Sequence, residues 1–148
     1  MYKKILVPLD GSKRAESILR YVEELAYRFE AKVVFLQVVE SPRLILGAEE
    51  GHTANVEFYK KELERSEKEG NDYLTALSGL FREKGIDTKI RLVHGPVVEA
   101  IMNAAEATNA DLIALASHGR SGLSQVFYGS VAVGVLHRID RPLLLIRS

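Results

Sequence analysis

The stretch Lys3-Lys4-Ile5-Leu6-Val7-Pro8-Leu9-Asp10-Gly11-Ser12 decides how the rest of the chain is read. From Ile5 the residues are apolar without alternation, and the run stops at Asp10-Gly11-Ser12, a cluster that favours a turn. A short continuous apolar run is the pattern of a strand buried on both faces, as in a parallel sheet. Directly after it, Ala15, Ile18, Leu19, Val22, Leu25, Ala26 and Phe29 recur at helical spacing, which predicts one helix with one buried stripe. Strand, turn and helix in that order open an α/β fold.

The same alternation repeats outward. Lys32 to Val39, Lys89 to Val93, Asp111 to Ala116 and Leu143 to Ile146 are further strand-like runs. Tyr59, Leu63, Gly70, Leu74, Leu77 and Phe81 predict a second, longer helix with a charged outer face. Val97, Val98, Ile101, Ala104 and Ala105 predict a third, with Pro96 where a first helical turn tolerates proline. Val131, Val135, Leu136 and Ile139 predict a fourth, ending before Pro142. The order β-α-β-α-β-α-β-α-β implies an open five-stranded parallel sheet with helices on both faces, in a single domain spanning 1–148. The long irregular stretch is 40–54, with Pro42, two glycines and His52. A connection of that length is often functional.

Composition narrows the function classes. Twenty basic residues balance twenty acidic ones in 148, so no global field draws nucleic acid or an anionic membrane. No cysteine is present, which removes disulfides, thiolate chemistry and cysteine-ligated metals. The apolar run after Lys3-Lys4 is too short for a signal peptide or a membrane span, so a cytoplasmic location is expected.

Ligands of open α/β sheets bind beyond the strands' carboxyl ends, where the strand order reverses. With strand order 3-2-1-4-5 that point lies between the first and fourth strands. The loops leaving them are Pro8 to Ser12 and Ala116 to Gly122. Between Asp111 and Asp140 there is no acidic residue, while His118, Arg120, Ser117, Ser121, Ser124, Gly119 and Gly122 crowd the loop. Gly129-Ser130 then opens the fourth helix, whose free N–H groups favour an anion. The same glycines and serines also simply make turns, with Ser130 as a helix N-cap. Neither G-x-x-x-x-G-K-[ST] nor G-x-G-x-x-G occurs.

These residues resemble the universal stress protein family over the whole chain. Lys4-Ile5-Leu6-Val7-Pro8-Leu9-Asp10-Gly11-Ser12 is similar to that family's first strand and turn. Ser117-His118-Gly119-Arg120-Ser121-Gly122, Gly129-Ser130 and Arg141-Pro142-Leu143-Leu144-Leu145-Ile146 are similar to its C-terminal half. The resemblance implies the adenine nucleotide alpha hydrolase-like, Rossmann-like version of the fold. ATP-binding members carry G-x-x-G, nine residues, then G-[ST]. Here Gly119 and Gly129-Ser130 match, but Ala116 replaces the first glycine. The resemblance implies that Asp10 contacts ribose, that Val38 and the Pro8-Leu9 region line an adenine pocket, and that Gly119, Gly129, Ser130 and Val131 surround phosphates. His118 and Arg120 join that set as loop residues able to pair with phosphate, or stand as solvated loop groups. Ala116 crowds the ligand slightly if its backbone is strand-like, and is strained by roughly 1 kcal/mol or more if φ is positive.

The expected function is an ATP-binding stress-response sensor or regulatory module. Magnesium would arrive with ATP, held by phosphates and water rather than by a protein metal site. The alternatives are a family member that has lost ATP and works through protein contacts, as Ala116 suggests, or a slow ATP hydrolase. No general base aimed at a γ-phosphate is evident, so no catalytic residue is assigned and at most weak hydrolysis is expected. Asp10 could instead be the first helix's N-cap, a role open equally to Ser12. Leu143 to Ile146, if at a sheet edge, would leave an apolar rim that pairing with a second copy removes. The resemblance implies the same homodimer. Tyr59, Tyr73 and Phe81 read as core residues, and Lys60 to Arg65 as a solvated helix face.

Overall fold

A computed structural model describes residues 1–40, 52–117 and 129–148, without the side chains of 52–55. The strands are β1 (Lys4–Leu9), β2 (Lys32–Val39), β3 (Thr88–His94), β4 (Leu112–Ser117) and β5 (Leu143–Arg147). All pair in parallel, in the order β3-β2-β1-β4-β5. The helices are α1 (Lys13–Glu16), α2 (Leu19–Phe29), α3 (His52–Glu83), α4 (Val97–Thr108) and α5 (Ser130–Arg138).

Alternate residues of the inner strands feed two cores on opposite faces of the sheet. Ile5, Val7, Val33 and Phe35 pack with Ile18, Val22, Leu74 and Phe81 on the face covered by α1, α2 and α3. Leu6, Val34, Leu36 and Ile113 pack with Ile101, Ala104, Ala132 and Val135 under α4 and α5. That two-sided burial is why the strands carry continuous apolar runs. The edge strands differ: residues 143–146 of β5 and 90–93 of β3 are only half-buried.

Four details depart from the sequence reading. The stripe from Ala15 to Phe29 is broken into α1 and α2 rather than forming one helix. At the break Ser17 N–H and Ile18 N–H bond back to the Arg14 and Ala15 carbonyls, and the Ser17 hydroxyl donates to Arg14 O at 2.7 Å. Such tightened, side-chain-assisted turns divert a helix while leaving its apolar phase unchanged. The long helix begins at His52, so the irregular stretch does not reach Ala54. Pro96 is the N-cap of α4, one residue outside the first turn. Gly129, not Ser130, caps α5, with φ 79°.

Arg141 fastens α4 to the turn before β5. Its Nη1 donates to Ala105 O at 2.9 Å and Ala110 O at 2.8 Å, covering carbonyls at the helix end. At the same, amino-terminal end of the sheet, Asp111 accepts from the N–H groups of Lys3 and Lys4.

Candidate functional site: a cleft at the sheet's switch point

β2 lies to one side of β1 and β4 to the other, so the strand order reverses at β1. At the carboxyl ends of these strands is a cavity of about 200 Å³. Its apolar lining comes from Pro8, Leu9, Leu36, Val38, Ile101 and Leu115. Asp10, Ser12 and Arg14 supply polar groups from the β1–α1 side, and Ser117, Gly129 and Ser130 from the β4–α5 side.

The turn after β1 is held by its own side chains. Asp10 Oδ1 accepts from the Ser12 N–H at 2.9 Å and from the Ser12 hydroxyl at 2.6 Å. The Ser12 hydroxyl in turn accepts from Ala15 N–H at 3.1 Å, which makes Ser12 the N-cap of α1. Gly11, with φ 85°, takes the left-handed conformation that this tight turn demands. Asp10 is therefore not the cap. It is exposed at the cleft, with one oxygen fixed by the turn.

On the opposite wall α5 starts without a side-chain cap, because Gly129 has none to offer. The first backbone N–H groups of a helix lack intrahelical partners, so Ser130, Val131 and Ala132 present donors at the cleft. Ser117 contributes less than its residue type suggests. It is buried, and its hydroxyl donates to Ile146 O at 3.2 Å, tying β4 to β5.

Ala116 sits inside β4, opposite Ile146 in the sheet register, and lines the cleft. Among the described residues the non-glycine positions with positive φ are Glu30 and Asn109. Ala116 is thus unstrained, and of its two readings the mild one holds: one extra methyl.

Pro8, Leu9, Asp10, Val38, Ala116, Gly129, Ser130 and Val131 all line this one cavity. His118, Gly119 and Arg120 lie outside the described residues, as do 41–51. Arg14 and Glu40 also reach the cleft, and sequence reasoning missed both. Arg14 lies on the first turn after β1 and Glu40 directly after β2, positions that point to the cleft only once strand order is known.

A sheet of this topology, with its cleft at the switch point and a helix N-terminus on one wall, defines the class of open, doubly wound α/β domains. Within that class the chain belongs to the universal stress protein family, whose model matches residues 1–147. Universal stress protein MJ0531 of Methanocaldococcus jannaschii is 30% identical over 149 residues, covering 100% of this chain and 84% of that protein. The solved structure of MJ0577 from the same organism superposes with a TM-score of 0.82 at 27% identity, covering 100% of this chain and 97% of that one. A universal stress protein of Archaeoglobus fulgidus in complex with dAMP has a TM-score of 0.62 at 20% identity, with 98% of each chain covered. At that identity the likeness concerns the fold.

Proposed function

We propose that this chain is an adenine-nucleotide-binding regulatory module of the stress response, with ATP as its ligand and a homodimer as its working form. The observation that carries the reading is the pairing of a partly apolar cavity with the uncapped start of α5. The apolar lining suits a purine base, Asp10 is placed to accept from ribose hydroxyls, and the α5 amides are donors for phosphate. The same fold holds dAMP in the Archaeoglobus fulgidus protein. The relaxed backbone at Ala116 supports the milder case, in which the missing glycine costs one crowding methyl and no strain.

Magnesium in this reading travels with the triphosphate, coordinated by phosphate oxygens and water. Among the described residues no group of three His, Asp or Glu side chains could hold an ion without it. The role is binding rather than turnover, with at most slow hydrolysis.

The homodimer would form through β5. Among the described residues that strand pairs on one side only, and Leu143 to Ile146 are half-buried at the open edge. Val133 and Leu136 on α5 are also exposed, at 37% and 46%. The opposite edge strand, β3, carries Lys89 and Arg91, charges that discourage edge pairing. No helix among the described residues is long and apolar enough to cross a membrane, and the cytoplasm is the compartment this reading assigns.

Isothermal titration with MgATP tests the reading. Saturable heat that is lost in Asp10→Ala is the expected result; no heat and no thermal shift at millimolar MgATP rejects it. A solution mass of one chain at micromolar concentration rejects the dimer.

A further inference from the structure

We propose that Tyr73 is a positioning residue for the cleft, acting through Glu16 on the short helix α1. The proposal rests on the nucleotide reading above and adds to it a residue that lines no part of the cavity.

α1 is four residues long and buries none of them. A helix that short does not hold itself together in water. Yet α1 and its cap supply Ser12, Arg14 and Ala15 to the cleft. Whatever orders α1 therefore shapes one wall of the site.

At its start α1 is ordered by the Asp10–Ser12 turn. Near its end the Tyr73 hydroxyl donates to Glu16 Oε2 at 2.8 Å, a bond between residues 57 apart in the chain. The donor stands on a firm base. Tyr73 is half-buried against the core beneath α3, between the Gly70 turn of that helix and the buried Leu74 and Leu77. At Gly70 the helix lies so close to the sheet that a Cβ would stand 2.9 Å from Leu92 Cδ1. A tyrosine packed in this way has little rotamer freedom, so its hydroxyl is a fixed point.

The acceptor stands on the short helix. Glu16 also meets Lys13 at 3.7 Å, but Lys13 is 98% exposed, and such a pair orders little. The Glu16 side chain is 24% exposed, so the bond from Tyr73 is partly shielded from water and the stronger of the two. Burial first, then the bond to Glu16, then the charges of Glu16 and Asp10 raise the phenol above its ordinary range, so it stays a donor to Glu16.

The test compares MgATP binding by the full chain and three variants. Tyr73→Phe keeps the ring packing and removes the hydroxyl. Glu16→Ala removes the acceptor, and Glu16→Gln keeps an acceptor oxygen. Tyr73→Phe and Glu16→Ala should each weaken binding about fivefold, with Glu16→Gln within about twofold of wild type. Combining Tyr73→Phe with Glu16→Ala should weaken binding no further than either alone, since a shared bond is lost once. Amide exchange at Ala15 to Ser17 should quicken in ligand-free Tyr73→Phe. Unchanged affinity in Tyr73→Phe, additive losses, or Glu16→Gln as weak as Glu16→Ala would each overturn the proposal. If wild type binds no MgATP, the nucleotide reading fails by itself. Exchange at Ala15 to Ser17 then decides alone: faster in Tyr73→Phe upholds the ordering of α1, unchanged overturns it.

Discussion

Gly134 of α5 lies so close to Val98 of α4 that a Cβ in its place would stand 2.5 Å from Val98 Cγ2. The valine cannot turn aside easily, because a β-branched side chain in a helix keeps essentially one χ1 rotamer. Gly134 thus sets how near α5 approaches α4. It thereby helps place Ser130 and Val131, one turn earlier at the start of the same short helix, against the cleft.

Gly134→Ala should therefore destabilise the fold by about 1–2 kcal/mol, overpacking outweighing the helix propensity that alanine adds. Gly79 of α3 is the control. A Cβ there meets nothing within 4 Å, and Gly79→Ala should stabilise by about 0.5–1 kcal/mol. Thermal unfolding of the two variants should move in opposite directions.

Arg141 is 14% exposed at its side chain and covers carbonyls of Ala105 and Ala110. Arg141→Ala should lower stability by about 1.5–3 kcal/mol, as hydrogen bonds from a charged donor to both carbonyls are lost, although Ala105 O keeps the Ala110 N–H. Arg141→Lys should recover roughly half or less, because an ammonium lacks the planar fork. Urea unfolding midpoints read both.

The Tyr73 phenol is pushed above its ordinary range, by burial first and then by its bond to Glu16 and the charges of Glu16 and Asp10. In the unfolded chain it loses its proton near 10. The folded state holds that proton more tightly, so the associated stability is whole below pH 10 and is lost as pH rises through the higher folded value. Urea unfolding at a series of pH values should show a constant gap between wild type and Tyr73→Phe up to pH of about 10 and a shrinking gap above it.

Ala116→Gly restores the glycine that the ATP-binding pattern carries, at a residue whose φ is not positive. Glycine gives up more backbone freedom on folding, so Tm should fall, with a loss of about 0.5–1 kcal/mol. With no strain to relieve, MgATP affinity should stay within about twofold, which titration of the two proteins side by side checks.

Much of the architecture was legible one segment at a time. The runs at 32–39 and 143–146 are strands within a residue of their expected ends, because burial on a sheet imposes its own spacing. The break at Ser17 was hidden, since the stripe from Ala15 to Phe29 continues in phase through it. The capping question after β1 was answered by geometry: the Ser12 hydroxyl, held by Asp10, faces the Ala15 N–H. Tyr73 read as a core residue, and it packs half-buried against the core; its hydroxyl's partner on α1 left no mark in the local sequence.

Composition and periodicity were enough to determine the alternation of strands and helices, the apolar faces and a turn after β1 rich in small and polar residues. Those are properties of neighbouring residues, set by backbone geometry and by where water is excluded. Only the tertiary structure decided that Asp10 and Ser130 line one cavity, that Arg14 and Glu40 join them, and that Ala116 is unstrained. Each depends on which strands lie side by side, and that choice belongs to the packing of the whole sheet rather than to any one segment.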